Sequence, residues 1–396
     1  MSEYFVLFLI IVVVLAAVLQ QDFVLTLFYF VVGSYAVARW WSGRALKSVL
    51  VQREFNNRAF INDKITIRLT LINSTYLPVV WLRLADSMPV EIVGAEVFRR
   101  VLTLGPHARR SYEYVLQPGR RGYYQIGPLF LYSGDVLGLA EERARQGSIE
   151  HLTVYPRILP FTEIKLPSRS PMGTLRHHQP IFEDPTRIRG KRDYVAGDSL
   201  RRVDWKSTAI TGRLQVKLFE PSIALETAIF LNLYDEDYYY RSRNDATELG
   251  IVTAASIAAW VIGKKQTIGL VTNGIDILSD DGSPAPKLPP EKGRSHLMRI
   301  LDVLARIQMT KSNSFVQLLQ RERPRLAWGT TVILVTGNAD HAVFDELFQM
   351  RRAGLNVVLI LCGHVIEADD IKHRAQHFGI PVHQFTSEKD LDVWRQ

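Results

Sequence analysis

Cysteine is nearly absent: Cys362 is the only one in 396 residues. That excludes an intrachain disulfide and any Cys-rich zinc site, and it suits a reducing compartment. The sequence also lacks a Gly-x-x-x-x-Gly-Lys-Ser/Thr loop, the backbone cradle for nucleotide phosphates, so ATP hydrolysis in cis is not expected. Charge is not scarce. There are 48 Lys and Arg against 40 Asp and Glu, a formal net charge of +8, and 22% of residues are charged. A multi-span transporter would carry far fewer charges, and a disordered chain could not reach 47% hydrophobic residues. Mean hydropathy is nevertheless +0.01, so the apolar residues must be concentrated somewhere. The length predicts two or three domains, each with its own core.

The apolar excess is at the front. Tyr4 to Leu19 and Phe23 to Ala38 are two uncharged runs separated only by Gln20, Gln21 and Asp22. Each is a little short for a spanning helix, but flanking polar residues can extend it. A helical hairpin that crosses the bilayer twice is expected over residues 1–45, with a single re-entrant anchor as the alternative. A cleaved signal peptide would need a basic start, and only Met-Ser-Glu precedes the first run. Arg39, Arg44, Lys47 and Arg53 follow the second run beside Trp40 and Trp41, read as interfacial anchors. By the positive-inside rule, the chain is expected in the inner (cytoplasmic) membrane with its bulk cytoplasmic.

The pattern then becomes an alternation of period two. In Lys64 to Ile72, and in similar short segments up to Tyr155, every second residue is apolar, with turn signals such as Gly105-Pro106 and Gly127-Pro128 between them. An all-β sandwich over residues 46–157 is expected. From Glu226 on, continuous apolar segments (227–234, 267–272, 331–336, 356–361 and 381–385) alternate with amphipathic ones. That is the signature of an α/β domain with a parallel sheet, over residues 223–396, whose ligands sit at the carboxyl ends of its strands. Asp280 to Gly293 reads as a Gly/Pro-rich loop.

Between these pieces, residues 158–222 form a charged connector. Arg157 to Glu220 holds thirteen Lys and Arg against seven acids, most of the chain's surplus. Arg192, Asp198, Arg202 and Asp204 alternate in sign around Tyr194 and Trp205. Arg–carboxylate pairs would fix such a connector. Basic residues interleaved with aromatics are also a nucleic-acid footprint, but the interspersed acids argue against that partner.

These residues carry a resemblance. Arg192, Tyr194, Gly197, Asp198, Arg202, Val203, Asp204 and Trp205, followed by Ala209, Gly212 and Phe219-Glu220, resemble the signature of the bacterial proteins catalogued as domain of unknown function 58. Arg121-Gly122-Tyr123, Ile126-Gly127-Pro128, Gly134-Asp135 with Gly138-Leu139, and Val154-Tyr155-Pro156 resemble further elements of that family. The resemblance implies that the α/β domain is von Willebrand factor A-like (Rossmann-like). It also implies a MoxR-type AAA+ ATPase as partner, with a transglutaminase-like membrane protein in the same system.

Domains of that kind often bind Mg²⁺ through Asp-x-Ser-x-Ser after the first strand. Here the chain reads Asp235-Glu-Asp237-Tyr-Tyr239, with Thr336 after the central strand. Asp237 and Tyr239 replace the serines, so Mg²⁺ binding through Asp235, Asp237 and Thr336 is expected to be degraded and no cofactor is assigned. A rival reading takes Asp235 as nucleophile and Asp237 as general acid of a Mg²⁺-dependent phosphohydrolase, with Thr336 on phosphate and Asp369-Asp370 on the metal. Tyr239 stands where that class needs threonine. His177-His178, near Glu183 and Asp184, read as an exposed loop, and Cys362 as a small core residue. The sequence therefore predicts no catalytic residue and points to a membrane-anchored scaffold that binds protein partners; the resemblance implies that it acts in protein maturation or envelope homeostasis.

Overall fold

The computed structural model describes residues 10–11, 13–14, 22–88, 92–93, 99–134, 141–162, 183–221, 226–279 and 283–394. The chain divides into two compact units, Met1–Arg157 with Leu301–Arg306, and Ile158–Ile300 with Ile307–Gln396.

The first unit is β-rich. Val49–Glu54, Ile65–Asn73, Arg109–Pro118 and Ile92–Val93 form one four-stranded sheet. Glu141–Gln146, Leu129–Gly134, Val79–Asp86 and Arg99–Leu104 form a second. Arg58–Phe60, Glu150–Tyr155 and Gly122–Ile126 form a three-stranded third. The period-two pattern accounts for the burial. Ile65, Ile67, Leu69 and Leu71 of the first sheet meet Leu82, Leu84, Leu129 and Leu131 of the second in one core.

One ionic cluster interrupts this core. Arg53 Nη2 donates to Asp86 Oδ1 at 2.6 Å, and the Tyr114 hydroxyl donates to Asp86 Oδ2 at 2.6 Å. The Arg53 and Asp86 side chains are 4% and 0% exposed. Gly127 makes room for the guanidinium: its φ is +91°, and a Cβ there would stand 2.8 Å from Arg53 Nη1.

The first apolar run lies outside the described residues, except for helical Ile10, Ile11, Val13 and Val14. The second is a helix, Asp22–Lys47, that runs on past Ala38. Its end belongs to the β-rich unit: Ser42, Ala45 and Leu46 are buried, and Trp41 Nε1 donates to Pro78 O at 3.0 Å. Trp41 is therefore a packing residue of the β-rich unit rather than an interfacial anchor, whereas Trp40 faces outward.

The second unit is built on a six-stranded sheet. Its strands are β1 (Glu226–Leu231), β2 (Thr267–Thr272), β3 (Leu288–Glu291), β4 (Thr331–Thr336), β5 (Asn356–Cys362) and β6 (Val382–Phe385), in the order β3-β2-β1-β4-β5-β6. Helices α1 (Arg243–Gly263), α2 (Phe315–Glu322), α3 (His341–Arg352) and α4 (Ala368–His377) belong to the same unit. All neighbouring strands are parallel except β3, which runs antiparallel to β2. The expected parallel sheet is therefore mixed. The added strand comes from the stretch read as a Gly/Pro-rich loop. Pro289 and Pro290 are tolerated there because an edge strand leaves one row of backbone N–H groups unpaired.

Among the described residues, one helix is long and apolar enough to cross a membrane, and it is α1, with 72% of its apolar window buried. Burial on both sides explains its composition. One side lies on the sheet, where Gly250 faces Val335 and Leu231. On the other, Leu159 N donates to Ser256 Oγ at 2.9 Å, while Phe161 meets Trp394 edge-on with ring centroids 5.3 Å apart.

Candidate functional site

The strand order reverses direction between β1 and β4, which makes their carboxyl ends the expected ligand crevice of such a sheet. A cleft of about 640 Å³ opens there, lined by Asp235, Asp237, Tyr240, Asn338, His364 and Ile366 among others. The fold thus puts Asp235 and Asp237 on the cleft wall, with Thr336 fully buried and linked to Asp237 through Asn232.

Their hydrogen bonds decide what they can do. Both carboxylate oxygens of Asp235 accept from Arg243 Nη1 at 2.7 Å. Asp237 Oδ2 accepts from Asn232 Nδ2 at 2.6 Å, and the same amide donates to Thr336 Oγ1 at 2.9 Å. The Thr336 hydroxyl in turn donates to Asn338 O at 2.7 Å, and the residue is fully buried. Asn232 Oδ1 accepts from Tyr234 N at 2.9 Å and Asn273 Nδ2 at 3.0 Å. Tyr238 folds underneath, its hydroxyl donating to Asn232 O at 2.6 Å. Gly337 permits this, since a Cβ there would stand 2.4 Å from the Tyr238 ring. Burial pushes the Asp237 carboxyl above its usual range, with Asp340 and Glu236 adding to the shift.

A hard cation needs several free oxygens converging on one point. Here the Arg243 guanidinium holds both oxygens of Asp235, and Thr336 spends its hydroxyl on the backbone. Among the described residues, no group of three or more His, Cys, Asp or Glu could hold a metal ion. These residues do not fit Mg²⁺. Asp369 and Asp370 lie in the first turn of α4, where the 90%-exposed Asp369 side chain meets Lys372 at 3.5 Å. Tyr239 packs against His364 and Tyr240.

The signature residues form a second constellation, in an antiparallel ribbon of Glu183–Asp193 paired with Gln215–Pro221. Arg192 grips Asp198 through two bonds of 2.7 Å. Gly197 turns the chain at φ +110°, and the Tyr194 backbone N donates to Leu214 O at 2.8 Å. Asp204 caps the short helix Trp205–Thr211 by accepting from Ser207 N, and pairs with Lys191 Nζ at 2.7 Å. Arg202 is exposed, and so is Trp205, at 68%.

Residues 190–361, from this ribbon through most of β5, match the family described as "Protein of unknown function DUF58". Over that stretch the chain is similar to the DUF58 family. Its relatives include the uncharacterized protein YeaD of Bacillus subtilis (strain 168), 26% identical over 238 residues. That match covers 58% of this chain, and the chain spans only 57% of that protein. Among solved structures, the complex of zinc 2-glycoprotein and prolactin inducible protein from human seminal plasma matches at 14% identity. It covers 26% of this chain and 93% of that one, with a TM-score of 0.22. Proximal thread matrix protein 1 from the mussel byssus matches at 12% identity, covering 43% of this chain and 46% of that one, with a TM-score of 0.30. Scores this low carry nothing about function.

Within the charged ribbon, the hydrogen bonds from Lys191 and Ser207 N hold the Asp204 carboxyl down to about 2. A depressed carboxyl stabilises the fold above the ordinary aspartate range, and the contribution is lost as pH falls through the folded value. The helix Trp205–Thr211 is accordingly expected to fray between about pH 4 and pH 2. Amide exchange at Ser207 and Thr208 would show this, and Asp204→Asn would already exchange faster at neutral pH. Three residues that organise the cleft escaped the sequence reading: Asn232, Tyr238 and Arg243. The available signal was Asn232, a lone amide in an otherwise apolar strand.

Proposed function

We propose that this DUF58 protein is a membrane-anchored, non-catalytic adaptor that engages a partner protein through the cleft at the carboxyl ends of β1 and β4. The observation that carries the reading is the internal commitment of the cleft's polar groups. Asp235 is neutralised by Arg243, and Asp237 and Thr336 are tied to Asn232. What the cleft offers outward is recognition surface: Tyr240 is 63% exposed and Ile366 78%. Exposed aromatic and aliphatic side chains beside acids suit a protein partner better than a small substrate. The mixed sheet, with its strand order and switch-point cleft, supports the von Willebrand factor A-like reading. The family resemblance supplies the partner class, a MoxR-type AAA+ ATPase, with a transglutaminase-like membrane protein in the same system.

Anchoring is supported by the helix Asp22–Lys47. Phe23, Leu25, Leu27, Tyr29, Phe30 and Val37 are all exposed around it, an apolar surface that lipid would cover. Arg39, Arg44 and Lys47 at its end support a cytoplasmic bulk. A phosphohydrolase that uses Asp235 and Asp237 is less well supported, because the would-be nucleophile is held by Arg243.

Affinity purification of the tagged full chain from its own membranes tests the reading. An AAA+ ATPase should co-purify with the wild type and be lost from an Ile366→Glu variant. Absence of any such ATPase from the wild-type preparation would sink it.

A further inference from the structure

The short helix Trp205–Thr211 is turned inside out. Its polar side faces its own ribbon: Asp204 accepts from Ser207 N, Lys191 Nζ donates to Ser207 Oγ, and Thr208 Oγ1 accepts from Gln215 N at 3.1 Å. Its outward side carries Trp205, Lys206, Ala209 and Ile210, with Trp205 68% and Ile210 78% exposed. Leu200 at 65% and Val195 at 61%, in the turns just before, are exposed as well. Helices of soluble domains orient the other way, because burying apolar area is what holds them.

The charges around this face are as one-sided as its polarity. Between Ile188 and Leu218 there are eight Lys and Arg and three Asp. All three acids are spent inside the ribbon: Asp198 on Arg192, Asp204 on Lys191, and Asp193 on the Gln215 amide. Arg201, Lys206 and Arg213, in the helix and the turns that flank it in sequence, are exposed. Tryptophan and aliphatic tips rimmed by cations fit the boundary between anionic headgroups and acyl chains, where the apolar tips enter and the cations meet phosphate.

We propose that this face of the ribbon docks on an anionic lipid bilayer, with Trp205 and Ile210 inserted and Arg201, Lys206 and Arg213 on the lipid phosphates. The inference rests on the anchoring reading above, because a chain tethered by its own helix meets the bilayer at high effective concentration. The favoured occupant is thus the surface already attached to the chain. Docking would add a second membrane signal to the anchor.

The sole cysteine allows a local test. Cys362 is buried and its thiol is pushed up to about 12, so a fluorophore on Ile210→Cys labels one site. The full-length Ile210→Cys chain, labelled with an environment-sensitive nitrobenzoxadiazole, is placed in nanodiscs of phosphatidylcholine, with or without about 30% phosphatidylglycerol. Emission should shift to the blue only in the anionic discs. Lys206→Gln should weaken the docked state about fivefold, and high salt should abolish the shift. The same aqueous emission in both discs overturns the proposal. So does a label that stays aqueous in anionic discs but is shielded in native membranes, which would assign the face to an acidic protein. Failure of anchoring is scored separately, as failure of the chain to co-elute with the discs. In that case the labelled chain is mixed with vesicles of the anionic composition, where a blue shift supports docking and its absence overturns it.

Discussion

Replacing Asp86 by alanine should destabilise the β-rich unit by about 3–5 kcal/mol, whereas Arg53→Met should cost clearly less. The asymmetry follows from which group is stranded. Removing Asp86 leaves a guanidinium 4% exposed whose nearest remaining carboxylate is that of Glu150 at 3.9 Å, and arginine cannot shed its proton. Removing Arg53 leaves a carboxyl that burial already pushes above its usual range, and which can neutralise by taking up a proton. The Arg53→Met protein should therefore lose stability as pH rises. A carboxyl whose folded value is raised contributes fully below its unfolded value, and that contribution fades as pH climbs through the folded one. The double variant Arg53→Met/Asp86→Leu should recover most of the loss, since buried ion pairs exchanged for apolar residues are often neutral. Arg53 Nε, buried with no hydrogen-bond partner, adds to that expectation. Calorimetry of the full chain reads this as a fall of roughly 10 °C in the β-rich unit's transition for Asp86→Ala. Equal effects of the two single variants would refute the assignment.

Asn232→Ala is the second large effect, at about 2–4 kcal/mol on the α/β unit. The fully buried amide serves four neighbours: Asp237, Thr336, the Tyr234 backbone and Asn273. Truncation strands buried donors and acceptors that water cannot reach, and each costs its own desolvation. Asn232→Asp should be worse at neutral pH, because it sets a second carboxylate where the amide now donates to Asp237. That variant should partly recover on acidification, which protonates one of the pair. Thermal melts at two pH values separate the cases. If both variants melt like the wild type, the amide does not organise the cleft.

Much of the α/β unit was legible because continuous apolar strands and amphipathic helices carry distinct periods. The strand Thr331–Thr336 begins and ends where its apolar run does, and α3 begins at His341 as read, just after its Asp340 cap. Edge strand β3 was not legible: Leu288-Pro-Pro-Glu has no strand propensity of its own and is held by β2. Trp41 read as a membrane-interface residue because its sequence neighbours are apolar and basic, and only its bond to Pro78 reveals the packing. At the cleft, the positions of Asp235, Asp237 and Thr336 follow from strand ends. Their bonding does not, because the contacts of Arg243 with Asp235 and of Asn232 with Asp237 and Thr336 depend on a turn whose geometry has no sequence period. The signature was legible as a set of charged and aromatic residues. That Asp204 serves as helix cap and Lys191 partner while Trp205 faces outward depends on where one short helix begins.

A cleft whose polar groups bond to one another should recognise its partner without a metal. Isothermal titration of Mg²⁺ into the full chain in nanodiscs, up to about 10 mM, tests it most directly. The internally bonded cleft predicts no saturable heat and no change on Asp235→Ala. Saturable binding that disappears in Asp235→Ala would contradict it.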